Sequence, residues 1–201
     1  MRLILVRHGQ TDYNLHRRYQ GKRNVSLNQT GREQTKRLAN RLSAEKMDSL
    51  HSSDLTRCVQ TAESIAGIHS LKIHEDACWR ELSFGEWEGM SYAEIEAAWP
   101  ELLQKWQTDP AHVSPPKGES FVQLAARVSS ALDEMRSHHA EQTVLLVTHG
   151  GVIRALLCLA LGIDLNRHWQ FEVASASVSE ISYYGEGAIL KLFNDTSHLR
   201  E

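Results

Sequence analysis

Two apolar runs, Leu3-Ile4-Leu5-Val6 near the start and Val144-Leu145-Leu146-Val147 near the end, lack the polar alternation of a half-exposed strand. Continuous aliphatic runs of this length are expected of strands covered on both faces, as at the centre of a parallel sheet. Between them the period changes. After a polar loop at 10–29, a helix is predicted over about 30–44, with Leu38 and Leu42 on one face. A second strand is expected to end at 49–53. Asp54 is placed to cap the following helix, in which Leu55, Val59, Ala62, Ile65 and Ala66 keep helical spacing. A weak strand is read at 71–74.

Residues 86–118 interrupt this alternation. All four prolines, Pro100, Pro110, Pro115 and Pro116, lie there with Trp87, Trp99 and Trp106. Tyr92, Ile95 and Trp99 fit one helical face, and Pro100 can open a further turn. The segment reads as a helical lid inserted over the sheet edge. Ser120 and Gln123 form a capping-box pattern ahead of a helix with Phe121, Leu124, Val128, Leu132 and Met135 inward. A strand at 143–147, a helix at about 150–161 stopped by Gly162, and a hairpin of 177–184 with 188–193 complete the chain. Alternating strands and helices predict an α/β protein, a three-layer α/β/α sandwich with a mostly parallel central sheet. One domain spanning 1–201 is expected, with the lid at about 86–118.

Composition narrows the function classes. The 201 residues are 41% apolar and 23% charged, with a net charge of −3. That balance gives no support for nucleic-acid binding or a membrane surface. No apolar run approaches the ~18 residues of a membrane span. The first strand begins at once and carries an arginine, which argues against a signal peptide. Cys58, Cys78 and Cys158 are odd in number and lack CxxC spacing, so free thiols in a reducing cytoplasm are expected. The eleven histidines include no HExxH or HxH pattern, so no metal site is expected.

Both central strands end in a histidine followed by glycine: Arg7-His8-Gly9-Gln10-Thr11 and Thr148-His149-Gly150-Gly151. Ligand sites of open α/β sheets gather at the carboxyl ends of strands, so two imidazoles and an arginine are expected at one rim. The first segment resembles the defining motif of the histidine phosphatase superfamily, the phosphoglycerate-mutase-like enzymes. Ser52-Ser53-Asp54-Leu55-Thr56-Arg57-Cys58-Val59-Gln60-Thr61-Ala62 resembles that family's second arginine block. Arg80-Glu81-Leu82-Ser83-Phe84-Gly85-Glu86-Trp87-Glu88-Gly89 resembles the block holding its acid/base glutamate, and Thr148–Gly151 its second histidine. Cys58 stands where a small residue is common, and Gln10 where glutamate is frequent; neither change touches the expected chemistry.

The resemblance implies a phosphohistidine on His8, phosphate contacts from Asn14, and an acid/base role for Glu81. The residues make chemical sense of this. A neutral imidazole is nucleophilic at a ring nitrogen once its other nitrogen donates to a carbonyl. Gly9 is expected to let the backbone pass close to the phosphate. Arg7 and Arg57 can fork onto phosphate oxygens, His149 can add a third donor, and the Gly150 amide a fourth. A carboxyl group beside the phosphate, Glu81, can protonate the leaving oxygen and then activate water. The arginines take the charge-neutralising part that Mg²⁺ plays elsewhere, so no cofactor is expected.

Several positions have two readings. Asn14 contacts phosphate or caps a turn, and Gln20 and Gly21 line the mouth or form an ordinary turn. Arg17, Arg18, Lys22 and Arg23 are a solvated loop or a positive rim. The tryptophans pack the lid, or one stacks on an aromatic leaving group. His138 and His139 read as surface. Within the superfamily, the Phe84–Gly89 block and Asn194–Leu199 resemble small bacterial phosphatases, the α-ribazole phosphatases and broad-specificity relatives among them. The expected partner is thus a small phosphate monoester, with α-ribazole 5′-phosphate favoured. A mutase, a metallohydrolase and a catalytically silent phosphate-binding module are the rivals. The oligomeric state, a homodimer included, stays open.

Overall fold

The computed structural model describes residues 1–185 and 187–200. A six-stranded sheet has the order β3-β2-β4-β1-β5-β6, with β1 at Arg2–Arg7, β2 at Ser49–Ser52, β3 at Ile73–Glu75, β4 at Thr143–Thr148, β5 at Val178–Tyr184 and β6 at Gly187–Asp195. β3, β2, β4 and β1 run parallel, while β5 and β6 form the antiparallel hairpin at the other edge.

The central strands alternate between two cores. Leu3, Leu5, Val144 and Leu146 pack with α6 (Phe121–His138) and α7 (Gly150–Leu161), whereas Ile4, Val6, Leu145 and Val147 pack with α2 (Gln29–Leu42) and α3 (Thr56–His69). Apolar residues are therefore needed at every position of β1 and β4, which is why their sequences do not alternate. This is the expected three-layer sandwich.

Helix ends follow the local sequence with one exception. Ser120 and Gln123 form their capping box, and Gly162 closes α7 with φ +64°. Asp54, however, does not cap α3. Leu55 occupies the cap position, and Asn24 Oδ1 accepts from the Thr56 amide at 2.8 Å. The Asp54 carboxylate instead binds Arg80 Nε at 2.6 Å, because a distant guanidinium offers it a charged partner. The polar loop also holds a short helix absent from the sequence reading, α1 (Asp12–Leu15), capped by Thr11.

The insertion carries α4 (Tyr92–Ala98), capped by Ser91 and Glu94, and α5 (Pro100–Thr108), which opens on Pro100. Its ends are pinned together. Glu86 N–H donates to Pro116 O at 2.9 Å and Glu119 N–H to Ser83 O at 2.9 Å. Trp87, Ile95 and Leu103 form a third small core, packed by Tyr19, Phe84, Met90, Trp99 and Trp106. Among the described residues no helix is long and apolar enough to cross a membrane.

Trp87 is fully buried at the centre of that third core. Trp87→Ala is expected to cost about 3–5 kcal/mol of the insertion's stability, read as a lowered denaturant midpoint or an earlier separate transition. A loss below about 1 kcal/mol would show that the insertion holds without this ring.

Candidate active site

The parallel pairing of β1 with β4 sets Arg7 opposite Thr148. One residue further on, His8 and His149 emerge side by side at the carboxyl ends of both strands. His8 N–H donates to Thr148 O at 3.0 Å, Ala176 N–H donates to His8 O at 3.1 Å, and the ring centroids lie 5.2 Å apart at 64°. The two imidazoles thus meet at one rim.

His8 is 2% exposed, and its Nδ1 lies 2.7 Å from Gly9 O. A carbonyl can only accept, so Nδ1 carries the proton and Nε2 keeps its lone pair. Burial, then Arg57 and Arg7, hold the His8 pKa well below its ordinary 6.5. His149 is fully buried, its Nε2 is 2.9 Å from Ser53 Oγ and Cys58 Sγ approaches Nε2 at 3.4 Å. Burial, Arg57, His8 and Arg7 lower it likewise. Both rings are neutral near pH 7. Burial pushes the Cys58 thiol up to about 12, so it stays protonated.

Arg57 opens α3 and is fully buried. Its Nη1 donates to Arg23 O and its Nη2 to Gly21 O, both at 2.8 Å. Gln20 completes the clamp. The Thr11 hydroxyl proton is given to Asn14 Oδ1 at 3.0 Å, so Thr11 Oγ1 can only accept, and it does so from the Gln20 NH2. The Gln20 carbonyl then accepts from Arg57, with Nη1 at 3.0 Å. Of the five guanidinium N–H groups one, on Nη2, is left for an anion. Gly21 has φ +56°, and a Cβ there would lie 2.1 Å from Glu88 Oε1. That carboxylate accepts from Lys22 N–H at 2.9 Å and Phe84 N–H at 3.2 Å, tying the loop to the insertion.

Glu81 is fixed by backbone donors. Gly151 N–H lies 3.1 Å from both carboxylate oxygens, and Leu82 N–H donates to Oε1 at 2.9 Å. Thr148 Oγ1 donates to Trp79 O at 2.8 Å, anchoring the segment that carries Glu81 to the end of β4. A Cβ at Gly151 would meet Glu81 Oε1 at 2.2 Å. Only glycine lets the carboxylate sit there.

A cavity of about 340 Å³ opens at this rim, walled by Arg7, His8, Asn14, Arg17, Arg18, Tyr19, Gln20, Gly21, Arg57, Glu81, Phe84 and Tyr92. A larger hollow of about 670 Å³ lies beside Met1, Arg2 and Gln142, at the opposite end of the strands. The rim cavity has the reactive groups. Arg7 reaches it with Nη1 held by Val173 O and Nε buried without a protein partner. Burial pulls Arg7 down to about 10, leaving it charged at neutral pH.

The structure brings together seven of the nine expected residues on this wall. His149 and Gly150 are the other two, and they lie buried behind it. Asn14 caps the turn, its Oδ1 accepting from Thr11 N–H at 3.1 Å, and the residue also lines the cavity. Gly9 differs from expectation. A Cβ there would meet Gly31 O at 2.7 Å, so the close approach it permits is to α2. The tryptophans pack the insertion, and Tyr19, Phe84 and Tyr92 form the aromatic walls instead. Arg18 binds Glu94 at 2.9 Å and Gly89 O at 2.6 Å, while Lys22 reaches Glu119 at 3.6 Å. Ser53 and Gly151 were missed. Both stand inside recognised motifs, but nothing local marks their contacts. Among the described residues no three His, Cys, Asp or Glu side chains are grouped to hold a metal ion.

The family model described as "Histidine phosphatase superfamily (branch 1)" matches residues 3–196. The chain is 36% identical over 201 residues to phosphoserine phosphatase 1 of Hydrogenobacter thermophilus, covering 100% of this chain and 95% of that one. It is 34% identical over 172 residues to the glucosyl-3-phosphoglycerate phosphatase of Mycolicibacterium vanbaalenii, covering 82% and 76%. The α-ribazole phosphatase structure from Shigella flexneri superposes with a TM-score of 0.90 at 29% identity, covering 97% and 96%.

Histidine NMR resonances provide a check on the electrostatics. His8 and His149 are expected to keep neutral-form shifts as pH falls through about 6.5, where an unperturbed imidazole is half protonated. The unfolded chain takes up those protons while the folded site refuses them. The linked stability is therefore full above about pH 6.5 and declines as pH drops below it. A midpoint at or above 6.5 for either ring would contradict this account.

Proposed function

The chain belongs to the histidine phosphatase superfamily and is a phosphoric monoester hydrolase; from that premise we propose that His8 is its nucleophile, acting on small phosphate monoesters. One observation carries the reading. The Gly9 carbonyl occupies Nδ1 and leaves the Nε2 lone pair on a cavity wall that also presents Arg7 and Arg57. A phosphate monoester brings about two negative charges near neutral pH, and these guanidinium groups offset its repulsion of an incoming lone pair.

In the first step Nε2 forms a bond to phosphorus as the P–O bond to the leaving group breaks. Glu81, which takes up a proton as the phosphate dianion binds beside it, gives that proton to the departing oxygen. In the second, Glu81 takes a proton from water, whose oxygen forms the new P–O bond as the P–N bond breaks. His8 is returned neutral, Glu81 is reprotonated, and the products are an alcohol and phosphate. Gln20 positions Arg57, and Gly151 positions Glu81. His149, behind His8, gains a favourable place for positive charge once a dianion lies in front of it. The arginines supply the neutralising charge, so activity is expected to survive exhaustive chelation.

For the leaving group, α-ribazole 5′-phosphate is supported by the aromatic walls Tyr19, Phe84 and Tyr92, on which a base can stack, and by likeness to the Shigella flexneri enzyme. The Hydrogenobacter and Mycolicibacterium relatives support small phosphoserine- or phosphoglycerate-type esters as the second reading.

His8→Ala is expected to abolish phosphate release from p-nitrophenyl phosphate and to remove the acid-labile phosphoryl-enzyme trapped in the native protein. Retained turnover would end the proposal. Gly151→Ala is expected to lower kcat by roughly 10²-fold with the fold intact, since it displaces the acid/base carboxylate. An unchanged kcat would remove Glu81 from that role.

A further inference from the structure

Four cations stand on the cavity wall, and three are committed. Arg57 is held by the Gly21 and Arg23 carbonyls, Arg7 by Val173 O, and Arg18 by Glu94 and Gly89 O. Arg7 and Arg57 already match the charge of a phosphate dianion. Arg17 is left over: it is exposed on the same wall, and among the described residues it makes no ion pair.

Its backbone is unusual as well. Arg17 directly follows the C-cap of α1 with φ +51°, a left-handed position that glycine normally fills. Its amide donates to Asn14 O at 3.2 Å, which ties it to the helix that carries Asn14 into the cavity. A long cation kept at some conformational cost, unpaired, at the mouth of a binding cavity points to a ligand group.

We propose that Arg17 binds a carboxylate on the leaving group, making carboxylate-bearing phosphate monoesters the preferred substrates. The inference rests on the reading of the cavity as a His8-dependent phosphatase site; it goes on to name the substrate class and favours the phosphoserine- and phosphoglycerate-type esters over α-ribazole 5′-phosphate, whose leaving group bears no carboxylate. Charge selects the carboxylate: one guanidinium matches one unit of negative charge in a two-pronged contact, whereas a second phosphate would bring about twice that. The cavity's roughly 340 Å³ suits a short leaving group that spans from His8 to the rim.

Two substrate pairs isolate the carboxylate: O-phosphoserine against O-phosphoethanolamine, and 3-phosphoglycerate against glycerol 3-phosphate. The native enzyme is expected to favour the carboxylated member of each pair by roughly 10- to 100-fold in kcat/KM, mostly through KM. Arg17→Ala is expected to collapse both ratios towards one, and Arg17→Lys to leave an intermediate preference because it keeps the charge without the fork. Native ratios near one overturn the inference, with or without a soluble variant. An equal loss for all four esters in Arg17→Ala also overturns it, since that is the signature of general electrostatic steering. A His8-dependent release from p-nitrophenyl phosphate without carboxylate preference rejects the Arg17 assignment alone. Release that persists in His8→Ala rejects the phosphatase mechanism itself.

Discussion

The register of β1 against β4 is the constraint on which the site depends. Because Arg7 pairs with Thr148, His8 and His149 leave the sheet at the same level, and the Thr148 carbonyl holds the His8 amide. A one-residue slip of either strand would turn that strand's side chains to the opposite faces and exchange its two cores. Leu3, Leu5, Val144 and Leu146 pack on one side and Ile4, Val6, Leu145 and Val147 on the other. The hydrophobic layers that stabilise the sandwich therefore also fix the imidazoles, so packing and chemistry share one determinant.

Around that rim the protein concentrates positive charge in a poorly solvated place. Arg57 is fully buried, and burial lowers the pKa of both Arg7 and Arg57. Their charges are stabilised by carbonyl oxygens and by Glu81. Burial first, and the same field after it, keep the two imidazoles neutral. Its effect is double: it preserves the lone pair on His8, and it leaves the cavity short of negative charge until a dianion enters. Preorganised donors of this sort are effective because they need no reorientation when the ligand arrives.

The insertion contributes through its roots. Thr148 bonds to Trp79, Glu88 bonds to the Lys22 and Phe84 amides, and Arg127 pairs with Glu119 at 3.0 Å. These contacts bring the Glu81 segment, the arginine-rich loop and the insertion to one opening. The tryptophans fill the insertion's own core, so the cavity is walled by the smaller aromatic rings beside it.

Much of this was legible in the chain itself. Continuous apolar runs identified the doubly covered strands, the Ser120 capping box and Gly162 marked helix ends, and four motifs in order named His8, Arg57, Glu81 and His149. Such signals are local, because propensity, period and motif spacing are properties of neighbouring residues. Contacts between distant residues were not legible. Asp54 has the chemistry of a helix cap, yet Arg80 claims it and Asn24 caps the helix instead. Gly9 makes room for α2, and Gly151 makes room for a carboxylate seventy residues away in sequence. Gln20 became a support for Arg57 only when the Thr11 proton was committed to Asn14. Arg17, one of four similar cations in sequence, is set apart because Arg18 and Lys22 pair with carboxylates while Arg23, which meets the Tyr13 hydroxyl, lies off the cavity wall. The order of residues determined which groups could react. Only the folded arrangement decided which partners remained for them, because burial and hydrogen-bond competition depend on every element at once.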